Sequence, residues 1–166
     1  MALEHDFFGL LESGPDGSVY WSETIELGDQ AVSVDLTAPD QDDITPDALD
    51  AAAAIVASIE ELDRRARIAM LGEVDNRASE VTEYILMMQD RLGDDLENFL
   101  VDVSGDAPVD IIRSLNLTSV TILADEHGGS DPFAVFEYAL DRDEEDDVLL
   151  VNLLGDGEIQ SVTSAD

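Results

Sequence analysis

A chain of 166 residues suits one domain, and its 45% apolar content excludes the disorder that high charge alone would suggest. Forty acids stand against seven bases, all arginine, for a net charge of −33. That balance argues against direct nucleic-acid binding, which needs a basic patch, and the lack of cysteine removes disulfides, thiol nucleophiles and thiolate metal sites.

The chain opens on an apolar stretch (Phe7, Phe8, Leu10, Leu11) with neither the basic start nor the long apolar core of a signal peptide. "SGPDGS", residues 13–18, is dense in turn formers. Val19, Trp21, Ile25 and Leu27 then alternate at period two, with Glu23 as the exception, and Val32, Val34 and Leu36 repeat the pattern after "GDQ". This predicts a β-hairpin with one buried face. At "TPDALD" a helix begins, with Thr45 as N-cap, Pro46 at the first helical position and Asp47 facing the positive helix end. Ala48, Ala52, Ile55, Ile59, Leu62, Ala66 and Ala69 form one apolar stripe down to Gly72, which predicts a single long helix packed against a sheet.

A second helix is expected over 76–92, with Val81, Ile85, Met88 and Leu92 on one side. A third, short one carries Leu96, Phe99 and Leu100, and a fourth carries Val109, Ile112 and Leu115. From Thr118 the pattern changes to strands: "TSVTILA", "FAVFEYAL", the nearly all-apolar "VLLVNLL", and an edge-like "EIQSVTS" after the turn signal "GDG". The order β-β-α-α-α-α-β-β-β-β implies an α+β fold. The N-terminal hairpin and the C-terminal strands share an antiparallel sheet, with the helices, one of them long, on one face. No repeat or linker divides the chain, so residues 1–166 are expected to form a single domain.

Few motifs carry chemistry. "LDRDEEDDVLL" (140–150) holds six acids, but as a calcium loop counted from Asp141 it puts Asp146 where glycine is needed and Asn152 where glutamate is needed. It reads as a solvated turn. His127, in "DEHGGSD", resembles the oxyanion loop of esterases, yet no Gly-x-Ser-x-Gly elbow accompanies it. It is kept as a site candidate only for a hydrolase or metal-dependent enzyme in which acids converge. His5 and His127 lack the spacing of a zinc site. "GDGEIQ" lacks the third glycine of a dinucleotide fingerprint, and without lysine there is no Walker-type phosphate loop. No catalytic residue, cofactor or metal is assigned. The most distinctive positive feature is "RRAR": Arg64, Arg65 and Arg67 either balance helix acids four residues earlier or offer a docking point to an anionic ligand or partner.

The acids run through every segment rather than clustering in a tail. A folded chain of this mass exposes roughly 8,000 Å², so its acids lie on the order of 14 Å apart. The screening length is about 10 Å in 0.1 M salt and about 3 Å in 1 M. Such a surface repels itself in dilute buffer and relaxes in brine. The absence of lysine, whose long apolar stem would add greasy surface, points the same way. The sequence reads as halophilic, from a haloarchaeal cytoplasm.

The "FFGL" start, the "WSETIELGDQAVSVDL" hairpin, the helix ending in "LDRRARIAML", and the closing "DPFAVFEYAL" and "VLLVNLLGDGEIQSV" together resemble an uncharacterised bacterial and archaeal family, the domain of unknown function numbered two thousand and four. The likeness spans nearly the whole chain, and that family brings no activity and no catalytic residues with it. The expected function is therefore non-enzymatic: binding an unknown protein partner, as a monomer or homodimer, without contact to nucleic acid or membrane. The alternatives are the His127 hydrolase, and an immunity or decoy protein whose acidic face blocks a basic partner.

Overall fold

The computed structural model describes residues 2–12, 14–28, 30–38, 44–101, 103–123, 133–140 and 147–165. A small hairpin, β1 (Ala2–His5) with β2 (Gly9–Glu12), comes first. Strands β3 (Val19–Leu27) and β4 (Gln30–Ala38) follow as the expected hairpin, paired residue for residue from Val19↔Ala38 to Leu27↔Gln30. Next come α1 (Pro46–Ala57), α2 (Ile59–Leu71), α3 (Glu80–Leu92), a 3-10 helix over Gly93–Phe99, and α4 (Ala107–Ser114). The chain closes with β5 (Asn116–Leu123), β6 (Ala134–Ala139), β7 (Val148–Leu153) and β8 (Ile159–Ala165).

The class is α+β, and β3 to β8 form one six-stranded sheet in sequence order. Four of its five junctions are antiparallel. The expectation of an all-antiparallel sheet fails at the fifth, where β4 and β5 run parallel with Val34 opposite Val120. The connection permits it: parallel neighbours need a long crossover, and the helical segment between β4 and β5 supplies one.

Period-two patterning decides what each sheet face meets. Val32, Val34, Leu36, Val120, Ile122, Phe136, Val151 and Leu153 are fully buried in one cluster with Leu49, Ile55, Ile59, Leu62, Met70, Val81, Tyr84, Ile85, Ile111 and Ile112 of the helices. The helices therefore cover one face. The alanine stripe belongs to this core, with Ala52 and Ala66 wholly buried, so it brings helix and sheet backbones close and offers no surface to a partner.

The single long helix expected over 45–71 is instead two. At Ser58 the backbone leaves helical geometry (φ −111°, ψ 14°), and its N–H bonds Ile55 three residues back. Such a local disruption of the helical ladder kinks a helix. The break falls where the helices pass the β7–β8 turn, whose Gly157 (φ +85°) lies against Leu62, with 3.4 Å between a Cβ built there and Leu62 Cδ2. Caps fix the other starts: Thr45 Oγ1 accepts from Ala48 N at 3.0 Å, and Ser79 Oγ from Val81 N at 3.1 Å. The third helix expected from sequence is 3-10, a geometry that stacks Leu96 and Phe99, three apart, on one side.

Candidate docking face

Among the described residues nothing covers the face of the sheet turned away from the helices. Register places its side chains in rows that cross all six strands. One row runs Ser22, Asp35, Thr121, Val135, Asn152, Ser161. The next runs Thr24, Ser33, Ser119, Glu137, Leu150, Thr163. Tyr20, Thr37 and Leu123 begin a third. Of these fifteen residues eight are serine or threonine, two (Asp35 and Glu137) are acids and none is a base. All are half-buried or exposed, Tyr20 reaching 63%.

The polar groups of this face bond one another. Tyr20 Oη donates to Asp35 Oδ1 at 2.9 Å. Glu137 accepts from Ser119 Oγ at 3.3 Å and Thr118 Oγ1 at 3.4 Å. Asn152 Nδ2 donates to Ser161 Oγ at 3.1 Å and to Thr163 Oγ1 at 3.3 Å. Groups already paired within the protein lose less when water is removed from over them. Elsewhere the surface is different. Exposed acids stand on the first hairpin (Glu4, Asp6), on β3 (Glu23), on the helices (Asp47, Asp50, Glu60, Glu83, Asp90), in the 3-10 segment (Asp94, Asp95, Glu97) and on the β7–β8 turn (Asp156, Glu158), while Glu26, two residues beyond Thr24, stands at the β3 margin of the open face itself.

The arginines nominated from sequence do not converge on one ligand. Arg64 and Arg65 are exposed and share Glu61, Arg64 Nη2 at 2.7 Å and Arg65 Nε at 3.2 Å. The Arg64 guanidinium holds the Glu61 carboxyl below its ordinary range, and Glu61 in turn raises Arg64. Arg67 turns inward. Its Nε donates to Asp63 Oδ1 at 3.1 Å, and its guanidinium lies 5.4 Å from the centre of the Tyr138 ring. Tyr138 Oη, from β6, donates to the same Asp63 Oδ1 at 2.7 Å. Burial, reinforced by the Asp63 charge, keeps this phenol protonated far above its ordinary range. The trio locks α2 to the sheet, and a tyrosine so held is a poor general base.

His127 lies outside the described residues, as does most of the acidic turn, 141–146. The last acid of that turn, Asp147, pairs with Arg91 at the end of α3. His5 meets a partner the sequence did not suggest: its Nδ1 accepts from Phe7 N at 3.1 Å, which leaves the proton on Nε2 to donate to Asp50 Oδ1 at 2.8 Å. That bond, with Phe8 edge-on to Trp21 (4.8 Å between ring centres), fastens the first hairpin to α1 and β3.

Asp110, in α4, was likewise missed. It is buried, 1% exposed, and accepts from Ser104 Oγ at 2.6 Å and Ser104 N at 2.9 Å. These bonds, the hydroxyl's first, hold its carboxyl below the usual carboxylate range. It borders a cavity of about 370 Å³ with Leu96, Glu97, Leu100 and Val103. The only sequence signal was a serine six residues ahead of an aspartate in a short helix, which does not distinguish a structural bond from a solvated acid.

Among the described residues no group of three or more His, Asp or Glu could hold a metal ion, no buried side-chain polar atom lacks a partner, and no helix is long and apolar enough to cross a membrane. No family model, no curated protein and no solved structure matches the chain. The family resemblance read from its packing motifs rests on those motifs alone.

Proposed function

We propose that this is a salt-adapted, non-enzymatic cytoplasmic protein that works by binding another protein across the open face of its sheet. One observation carries the reading: in a chain with 40 acids, the described residues of the uncovered face from β3 to β8 include three, Asp35, Glu137 and, at the β3 margin, Glu26. A solvent-facing surface in brine gains from carboxylates that hold water, and hydroxyls and leucines do not replace them. A face this poor in charge beside the rest of the surface has the charge depletion that marks an interface.

The arginine cluster supports no competing site, since Arg64, Arg65 and Arg67 are each paired to a helix acid. The decoy reading, in which an acidic surface blocks a basic partner, places contact on the acid-rich helical side and makes the opposite prediction. Because the chain has no cysteine, Thr121→Cys carries a unique photo-crosslinking label at the middle of the face. In molar KCl and halophile extract, adducts are expected from this position and not from Glu83→Cys on α3. Adducts mainly from Glu83→Cys, or none from either position, would refute the proposal.

A further inference from the structure

We infer that the partner on the open sheet face is a second copy of this chain, packed face to face. The inference rests on the docking reading above and names its occupant. Three observations favour the second copy.

The first is charge. Two chains of net charge −33 repel wherever their acidic surfaces meet. The uncovered face, where Asp35 and Glu137 accept from hydroxyls of their own chain and Glu26 stands at the margin, is where two copies approach with less repulsion than over the acid-rich helical side. A basic partner would be drawn to the acid-rich surfaces instead. The charge-poor region also runs off the sheet at β8, whose residues Ile159–Ala165 carry no charge. The opposite edge, β3, carries Glu23 and Glu26 and is flanked by the first hairpin, which is how an edge is normally guarded.

The second is size. Six strands spaced about 4.8 Å apart, overlapping for about six residues of 3.3 Å each, present roughly 600 Å². Two copies would cover about 1,200 Å², the lower bound of a standard specific interface. The third is shape and polar satisfaction. Sheets pack face to face about 10 Å apart when their side chains are short, and here eight of fifteen are serine or threonine. Asp35 and Glu137 face hydroxyl donors of their own chain, so a two-fold pairing need not supply them with bases. An isologous dimer of this kind is the commonest closed assembly.

Sedimentation equilibrium of the purified chain in molar KCl tests this. The expected result is a concentration-dependent species of twice the 18.0 kDa chain mass. Leu150→Glu, which sets a new carboxylate beside Glu137, should raise the dissociation constant by at least about tenfold, with the circular dichroism unchanged. Ile68→Glu, on the exposed side of α2 (59% exposed), should leave it unaltered. Should Leu150→Glu fail to fold, Thr121→Cys with a short bis-maleimide reads the same contact as a covalent dimer.

A monomer at every concentration overturns the second copy. So does a dimer indifferent to Leu150→Glu and not crosslinked through Thr121→Cys. A monomer whose Thr121→Cys label still captures another protein would overturn only the identity of the partner, and the docking face itself would stand.

Discussion

The two faces of the sheet come from the same strands and share one alternating pattern, yet they solve opposite problems. Toward the helices, Val34, Leu36, Ile122, Phe136 and Val151 shed water entirely. Toward solvent, Ser22, Thr24, Thr121 and Asn152 hold hydroxyls and an amide where the rest of the surface holds carboxylates. The inner face is stabilised by lost water, and under the proposed salt adaptation the helical exterior by retained water. The outer face is suited to neither and fits a surface that is covered when the protein works.

The contrast can be broken at several points. Phe136→Ala, on the inner face, should cost about 3–5 kcal/mol through a large cavity, read by denaturant unfolding in molar KCl. Asp63→Ala strips Tyr138 and Arg67 of their shared acceptor and should cost about 2–3 kcal/mol. Tyr138→Phe, which leaves Asp63 paired to Arg67, should cost less.

Asp110 gives a pH signature. Its folded pKa is depressed, so its stabilising effect is present above its unfolded value, about 3.9, and is lost as pH falls through the lower folded value. Asp110→Asn should therefore melt below wild type at neutral pH, and the gap should close as pH drops below about 4. A gap independent of pH would contradict the role given to the Ser104 bonds. On the outer face, Leu150→Glu should cost up to about 1 kcal/mol, because its carboxylate lies directly opposite Glu137, while disrupting self-association. Arg64→Ala, removing an exposed pair, should leave the unfolding midpoint unchanged within error.

Much of the fold was legible because local rules set it. Alternation at Val32, Val34 and Leu36 gave the hairpin and its buried face. The Thr45 cap and the stripe from Ala48 to Ala69 gave helical segments and their inward sides, whereas the Ser79 cap, which starts α3 at Glu80 and not at Asn76, went unread. What was not legible depends on distant partners. The parallel pairing of β4 with β5 is a choice between segments some eighty residues apart, and the kink at Ser58 comes where α2 meets the turn at Gly157. The Asp63–Arg67–Tyr138 lock joins a helix to a strand seventy-five residues on, so "RRAR" looked like one feature when its members face two environments. The proposed docking face was hidden for a related reason. Serines and threonines from β3, β4, β5 and β8 join the residues of β6 and β7 in one surface only after register lines them up.

Underlying both faces is the claim that the acids are an adjustment to salt. The most direct measurement is the thermal unfolding midpoint of the wild-type chain as KCl rises from about 0.1 M to about 1 M, where the screening length shrinks from about 10 Å to about 3 Å. The midpoint should climb steadily across that range, and the chain should lose structure as salt is withdrawn. A midpoint that stays flat, with the fold intact in dilute buffer, would contradict the claim.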